Sequence, residues 1–334
     1  MSRPVDDGAT AVLEVISPGL LSTIQDLGRP GLENVGVPIG GAADPVGLAV
    51  ANLVLGNAPD MAAIECTLLG PELRVLRDVT VGIGGADLGG QVLRGGRRLP
   101  PGASHRLRAG EVLAFAAVEP DLGCRAYLAV PGGIDVPEVL GSKSTSLVGA
   151  FGGLQGRALR AGDRLQAHIG NAASAEVPWP ADLGLPAQDA VVRVLSGPQA
   201  TDADTAGIPE TLAHLLGATW EVSHDSDRRG LRLDGPSLAS LTLLADDPSQ
   251  GVLPGAIQLT PSGQPIVLMP DGGTTGGYPV IAVVCAADLW LLGQLRPGST
   301  VAFERIDAAT ARRAAEDLRQ LVATAAERLS ARLS

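Results

Sequence analysis

Short apolar runs, broken every few residues by glycine or proline, set the pattern of this chain. Residues 12–16, 79–83, 112–116, 126–130, 191–195, 220–223, 266–269, 280–284 and 300–304 are rich in Val, Ile and Leu and bounded by turn formers, the pattern of strands. Long amphipathic segments do not alternate with them. This predicts a mainly β protein of barrels or sandwiches rather than a doubly wound sheet.

Three helices stand out. Asp44 stands as an N-cap, Pro45 takes the first helical position and Gly56 lies just past the end. Between them Leu48, Val50, Ala51, Leu53 and Val54 make the helix largely apolar, so it should be buried. Residues 209–216 predict a second, short helix. From Asp307 onward Ala311, Ala314, Leu318, Leu321, Val322 and Ala325 recur at helical spacing, with charge on the other face, which suits a surface helix or a partner contact. Residues 170–175 are small and polar, and Pro178, Pro180 and Pro186 follow, a linker composition. The predicted organisation is a first β-rich lobe over 10–169, a linker over 170–189, a second β lobe over 190–306 and a helical tail over 307–334.

Composition narrows the function. Of 334 residues 45% are hydrophobic but only 2% aromatic, so the core must be aliphatic. A formal net charge of -11 argues against non-specific nucleic-acid binding, which needs clustered Lys and Arg. Cys66, Cys124 and Cys285 form no CxxC and sit in or beside apolar runs, as reduced, buried thiols do. His105, His168, His214 and His224 show no metal-binding spacing, so no metal site is expected. The first residues lack a signal-peptide core, and no apolar run approaches the roughly 20 residues of a membrane helix. A soluble, cytoplasmic protein without membrane partners is expected. Lys143 is the only lysine. A biotinyl or lipoyl carrier presents its lysine at a hairpin tip, usually beside methionines, and Ser142, Lys143 and Ser144 do not resemble that. Biotin, if involved, must arrive on another chain.

Several motifs fail. Around Gly141 to Thr145 a P-loop is suggested, but Ser142 separates Gly141 from Lys143 and Val136 stands where the first glycine belongs. Residues 82–87 begin like a dinucleotide fingerprint, yet Asp87 replaces the third glycine and no amphipathic helix follows. Ser223, His224 and Asp225 are consecutive, whereas a hydrolase triad converges from separate segments. That segment reads as a polar loop, with Asp227 and Arg228 facing a cleft or ordering the turn.

Other stretches keep chemical interest. Residues 264–281 run from an apolar strand into Asp271, then two glycine pairs around Thr274 and Thr275, then Tyr278 and Pro279. Glycine permits positive φ, and successive N–H groups can converge on an anion. The segment is either a decorated connection or a ligand site with Asp271 as a possible base. Asp26 and Arg29 are close enough to pair, for a turn or for a site. Glu65 and Thr67 share one face of an otherwise apolar strand, and an unpaired buried charge there would be costly.

In order, residues 17–31 (SPGLLSTIQDLGRPG), 41–45 (GAADP), Ala51 and Asn52, 65–67 (ECT), 84–88 (GGADL), 124–134 (CRAYLAVPGGI), 226–228 (SDR), 251–258 (GVLPGAIQ) and 274–279 (TTGGYP) resemble the biotin-dependent carboxyltransferase-like family, across residues 12 to 305. That family includes KipA, allophanate hydrolase subunit 2 and the C component of 5-oxoprolinase. The resemblance implies two β-barrel-like lobes of cyclophilin-like architecture, few short helices and a C-terminal helix. It implies an obligate KipI-like partner, the B component. Its first implied reaction is ATP-dependent opening of the 5-oxoproline lactam to glutamate, this chain being the C component beside a LamB/YcsF-like A component; nucleotide would be held non-classically or with a partner. A second is carboxyl transfer to urea or a related amide from biotin supplied in trans. A third is a non-catalytic regulator that binds a KipI-like partner, and amidase-type hydrolysis of allophanate ranks last. The residues implied for catalysis are Asp271, Glu65 and Asp87. Those implied for substrate or phosphate are Asp26, Arg29, Gln258, Thr274, Thr275, Gly276, Gly277 and Tyr278. Gly272 and Gly273 depart from the bulkier polar residues frequent there, and Lys143 stands where arginine is usual.

Overall fold

The computed structural model describes residues 9–115, 123–168, 189–200, 208–238 and 248–333. The predicted linker lies almost wholly outside these. Helices occupy Pro45–Leu53 (α1), Ile208–Gly217 (α2), Leu289–Gln294 (α3) and Ala308–Leu333 (α4). Contacts divide the chain into two units, one of Met1–Gly28, Pro45–Leu185 and Val322–Ser334, the other of Arg29–Asp44 and Pro186–Leu321.

The first unit is built on two sheets. One has seven strands in the order Ile134–Asp135, Arg164–Ala167, Thr10–Ser17, Glu72–Val75, Val112–Phe115, Gly90–Val92 and Arg97–Arg98. The other has five, in the order Leu21–Gln25, Ala63–Thr67, Arg125–Ala129, Val79–Gly85 and Ala103–Leu107. Val15, Leu73 and Leu113 of the first share one core with Ile24, Ile64, Val81 and Leu128 of the second. Strand periodicity turns the alternate residues away from that core. Paired positions Thr23, Glu65, Tyr127 and Gly84 therefore form a row on the opposite face.

Helix α1 covers that face. It begins at Pro45, as predicted, and Gly56 follows it with φ 76. The approach is close because the strand beneath offers Gly82 and Gly84. A Cβ at Gly84 would collide with the Gly47 carbonyl and stand 2.7 Å from the Ala51 nitrogen. The far end of α4 also docks within this unit: Leu329 is buried in a cluster with Ala49 and Leu53. The helix expected as a surface element or partner contact thus packs one end within this unit.

The second unit contains a closed barrel in the order Asp189–Ser196, Val280–Val284, Ala256–Leu259, Pro265–Leu268, Gly230–Asp234, Thr219–Val222 and Thr300–Arg305. A parallel pairing of Asp189–Ser196 with Thr300–Arg305 closes it. The lumen is filled by side chains including Val192, Val194, Trp220, Leu233, Ile257 and Val267. Trp220 is fully buried and donates its indole N–H to the Leu215 carbonyl of α2 at 3.0 Å. Asp288, beside α3, accepts from Arg193 Nη2 at 2.6 Å and from its backbone N–H at 2.8 Å. The sequence reading keeps residues 29–44 with the first lobe; their contacts group them with the barrel. Gly40 N–H donates to the Pro270 carbonyl at 2.9 Å, and Gln294 Nε2 donates to Asp44 at 2.6 Å. No helix among the described residues is long and apolar enough to cross a membrane.

Two outcomes follow. Gly84→Ala should lower stability by about 1–3 kcal/mol, because a methyl group there has nowhere to go; a urea midpoint equal to that of the parent would contradict the α1 packing. All three cysteines are buried, and burial also pushes the Cys66 thiol far up from its ordinary pKa, with Glu65 adding to the shift. A thiol reagent at neutral pH should therefore leave the native chain unlabelled and modify three cysteines after unfolding; fast labelling of native protein would contradict this burial.

Candidate functional site

A filled barrel leaves its outer wall and rims for chemistry. On three adjacent strands the alternation that sends Leu231, Leu233, Ile257, Leu259 and Val267 inward sends their neighbours outward. Register pairs Arg232 with Ile266 and Ile266 with Gln258, so the three form one row across the wall. Gly230 and Leu268 pair in the next row. These residues, with Asp225, Asp227, Arg229, Gly272 and Gly273, line a cleft of about 240 Å³.

The rim is held by buried charges. Arg228 forks onto Asp271, with Nε to Oδ2 at 2.9 Å and Nη2 to Oδ1 at 3.1 Å. Arg228 Nη2 also donates to the Gly41 carbonyl at 2.6 Å. A Cβ on Gly40 would stand 3.2 Å from Arg29 Nη1 and 3.8 Å from Asp271 Oδ1, so Arg29 and Asp271 flank that glycine. All three charged residues are buried. Asp271, a possible base on the sequence, has both carboxylate oxygens engaged by Arg228, which ties down the start of the glycine-rich loop.

The loop also differs from the anion nest expected of it. None of Gly272, Gly273, Gly276 and Gly277 takes a left-handed φ. Instead Thr275–Gly276 pairs as a short strand with Gln250–Gly251, and the Thr274 carbonyl accepts from Val252 N–H at 2.9 Å. Glycine serves here for close approach: a Cβ on Gly276 would collide with Gln258 Nε2. Gln258 is buried, and that nitrogen has no hydrogen-bond partner among the described residues. Thr275, Gly277 and Tyr278 are exposed.

The remaining sequence candidates belong to the first unit, in three separate networks. Asp26 is enclosed by hydrogen-bond donors of the first unit. Its carboxylate accepts from Gly28 N–H at 2.8 Å, Ser142 Oγ at 2.6 Å and Lys143 N–H at 2.6 Å, and it bonds Ser144 Oγ as well, so it fastens the 142–145 segment. Glu65 accepts from Tyr127 Oη at 2.7 Å and lies 3.8 Å from Arg125 Nε, all three being buried. Asp87 accepts from Gly89 N–H at 2.9 Å and pairs with Arg98 at 2.8 Å, which closes a turn. Sequence reasoning missed Arg229, Arg232 and Asp225 at the cleft, and Tyr127 on Glu65. The period-2 alternation of Gly230, Leu231, Arg232 and Leu233 carried the signal for Arg232.

The carboxyltransferase domain model, subdomains A and B, matches residues 35–305. The chain belongs to this carboxyltransferase family. Within it, the chain is 37% identical over 313 residues to the C component of Escherichia coli 5-oxoprolinase, covering 92% of this chain and 95% of that protein. Among solved structures, TTHA0988 superposes with a TM-score of 0.77 at 33% identity, over 88% of this chain and 55% of that one. Kluyveromyces lactis urea carboxylase superposes with a TM-score of 0.82 at 31% identity, over 96% of this chain. The chain spans about half of the TTHA0988 chain and 29% of the urea carboxylase.

Removing one partner from a buried ion pair leaves the other charge uncompensated. Asp271→Asn should therefore cost about 3–5 kcal/mol of stability. Equilibrium denaturation measures it, and a loss under about 1 kcal/mol would contradict the anchoring role.

Proposed function

We propose that this chain is the C component of an ATP-dependent 5-oxoprolinase, which opens the lactam of 5-oxoproline to glutamate together with a KipI-like B component and a LamB/YcsF-like A component. The observation that carries this reading is the nearly end-to-end likeness to the corresponding component of Escherichia coli 5-oxoprolinase. A lactam carbonyl resists attack by water because of amide resonance. Opening it calls for donors placed where negative charge develops on oxygen. The cleft offers such groups in Gln258, Arg229 and Arg232, with Thr274 and Thr275 on the loop that forms its rim. Asp271 would act by holding that loop. The chain carries no Walker motif, so ATP would be bound with the partner components.

The test is glutamate release from 5-oxo-L-proline and ATP by this chain mixed with its KipI-like and LamB/YcsF-like partners, each omitted in turn. Release that needs all three chains and ATP is expected. A complex that co-purifies and releases no glutamate would contradict the reading.

The likeness to urea carboxylase favours a second reading, carboxyl transfer to urea or a related amide with biotin carried on another chain. Avidin separates the two. Turnover by the assembled complex should persist in its presence if the first reading holds, and should stop if carboxybiotin is the donor.

A further inference from the structure

We infer that the outer-wall cleft of the second unit is a recognition site for a small cyclic amide bearing a carboxylate, read by Gln258 at its carbonyl and by Arg232 at its carboxylate. The identity of the ligand rests on the lactam-opening reading; the chemistry of the cleft stands without it.

Gln258 supplies the first argument. Only 6% of it is exposed, yet its Nε2 has no hydrogen-bond partner among the described residues. Buried amide donors are almost always satisfied, so an unpaired Nε2 pressed against Gly276 calls for the opposite orientation of the amide. The contact with Gly276 says which way the amide serves. The Gly276 Cα hydrogen points at the amide end where a Cβ would collide. An amide oxygen sits well against a Cα–H, whereas an NH2 group does not. Turning the amide over satisfies that contact and delivers the NH2 group into the cleft, an alternative open to any glutamine side chain.

The row across the wall supplies the second. Ile266 separates Gln258 from Arg232, and Leu268 lies beside it. Adjacent strands are about 4.8 Å apart, so the two polar side chains spring from positions about 10 Å apart, with an apolar floor between them. That spacing admits one flat ring. Arg232 has no side-chain hydrogen bond or ion pair among the described residues, while Arg229 is held by Asp227 at 3.2 Å. A free guanidinium is suited to a carboxylate. Asp225 and Asp227 line the same cleft and would repel a ligand carrying several negative charges, which disfavours phosphate and nucleotide. The ligand that matches is neutral at one end, singly anionic at the other and apolar across its face, the chemistry of 5-oxoproline.

Every group named comes from one unit of this chain, so binding can be measured on the full chain alone by calorimetry or ligand-observed NMR. The ligands are 5-oxo-L-proline, pyrrolidin-2-one, which lacks the carboxylate, and inorganic phosphate. Gln258→Met should weaken 5-oxoproline at least tenfold while leaving the melting temperature unchanged or higher, since no side-chain hydrogen bond among the described residues is lost and the replacement has a similar shape. Arg232→Leu should weaken 5-oxoproline at least tenfold and leave pyrrolidin-2-one unaffected. Absence of 5-oxoproline binding, equal affinity in the parent and both variants, or tighter binding of phosphate would each overturn the inference. The two readings fail separately. Binding with this variant pattern but no ATP-dependent turnover would remove the reaction and keep the site. Turnover by the assembled complex that is indifferent to both substitutions would remove the site and keep the reaction.

Discussion

The cleft face of the second unit depends on the buried fork between Arg228 and Asp271. A buried ion pair adds little net stability, because desolvation of the two charges offsets most of their attraction. Its effect is directional. One carboxylate fixes the planar guanidinium through two bonds, and the same guanidinium reaches the Gly41 carbonyl. Backbone bonds tighten the arrangement: Asp271 N–H donates to the Arg228 carbonyl and Met269 N–H to the Arg229 carbonyl, both at 3.0 Å. The loop that follows Asp271 is thereby placed against the barrel wall. Gly272 and Gly273 reach the cleft, and Gly276 lies on Gln258.

Satisfied charges and open ones divide the molecule. Asp26, Glu65, Asp87 and Asp271 all find partners, and each network holds a loop or a sheet face in place. The polar groups without a side-chain partner among the described residues are less conspicuous: a glutamine amide and an arginine on the outer wall. A carboxylate in an apolar run signals that it will be paired, and pairing serves architecture as readily as catalysis. An amide that faces a cleft and makes no hydrogen bond among the described residues is the more specific indication of a ligand.

Much of the fold was legible in the chain. Each of the nine apolar runs coincides with a strand to within one residue at its end, residue 116 lying outside the described residues, and Pro45 opens α1 while Gly56 follows its end with a positive φ. What was not legible depends on long-range contacts. Residues 29–44 leave the first lobe because Gly40 and Gly41 bond to groups far along the chain. Helix α3 is a six-residue apolar segment with no periodicity to separate it from a strand. Around Asp271 the glycines stood out in the sequence, but the conformation expected of them is not the one they take. Local sequence shows that glycine can adopt a positive φ. Only the fold shows that Gly276 is there so that Gln258 can be.

The most direct measurement is a crystal structure of the chain with 5-oxo-L-proline bound. The account predicts the ring over Ile266 and Leu268, its carbonyl oxygen within hydrogen-bond reach of Gln258 and its carboxylate at Arg232, with the Arg228–Asp271 fork intact. A ligand bound elsewhere, with the cleft empty, would contradict it.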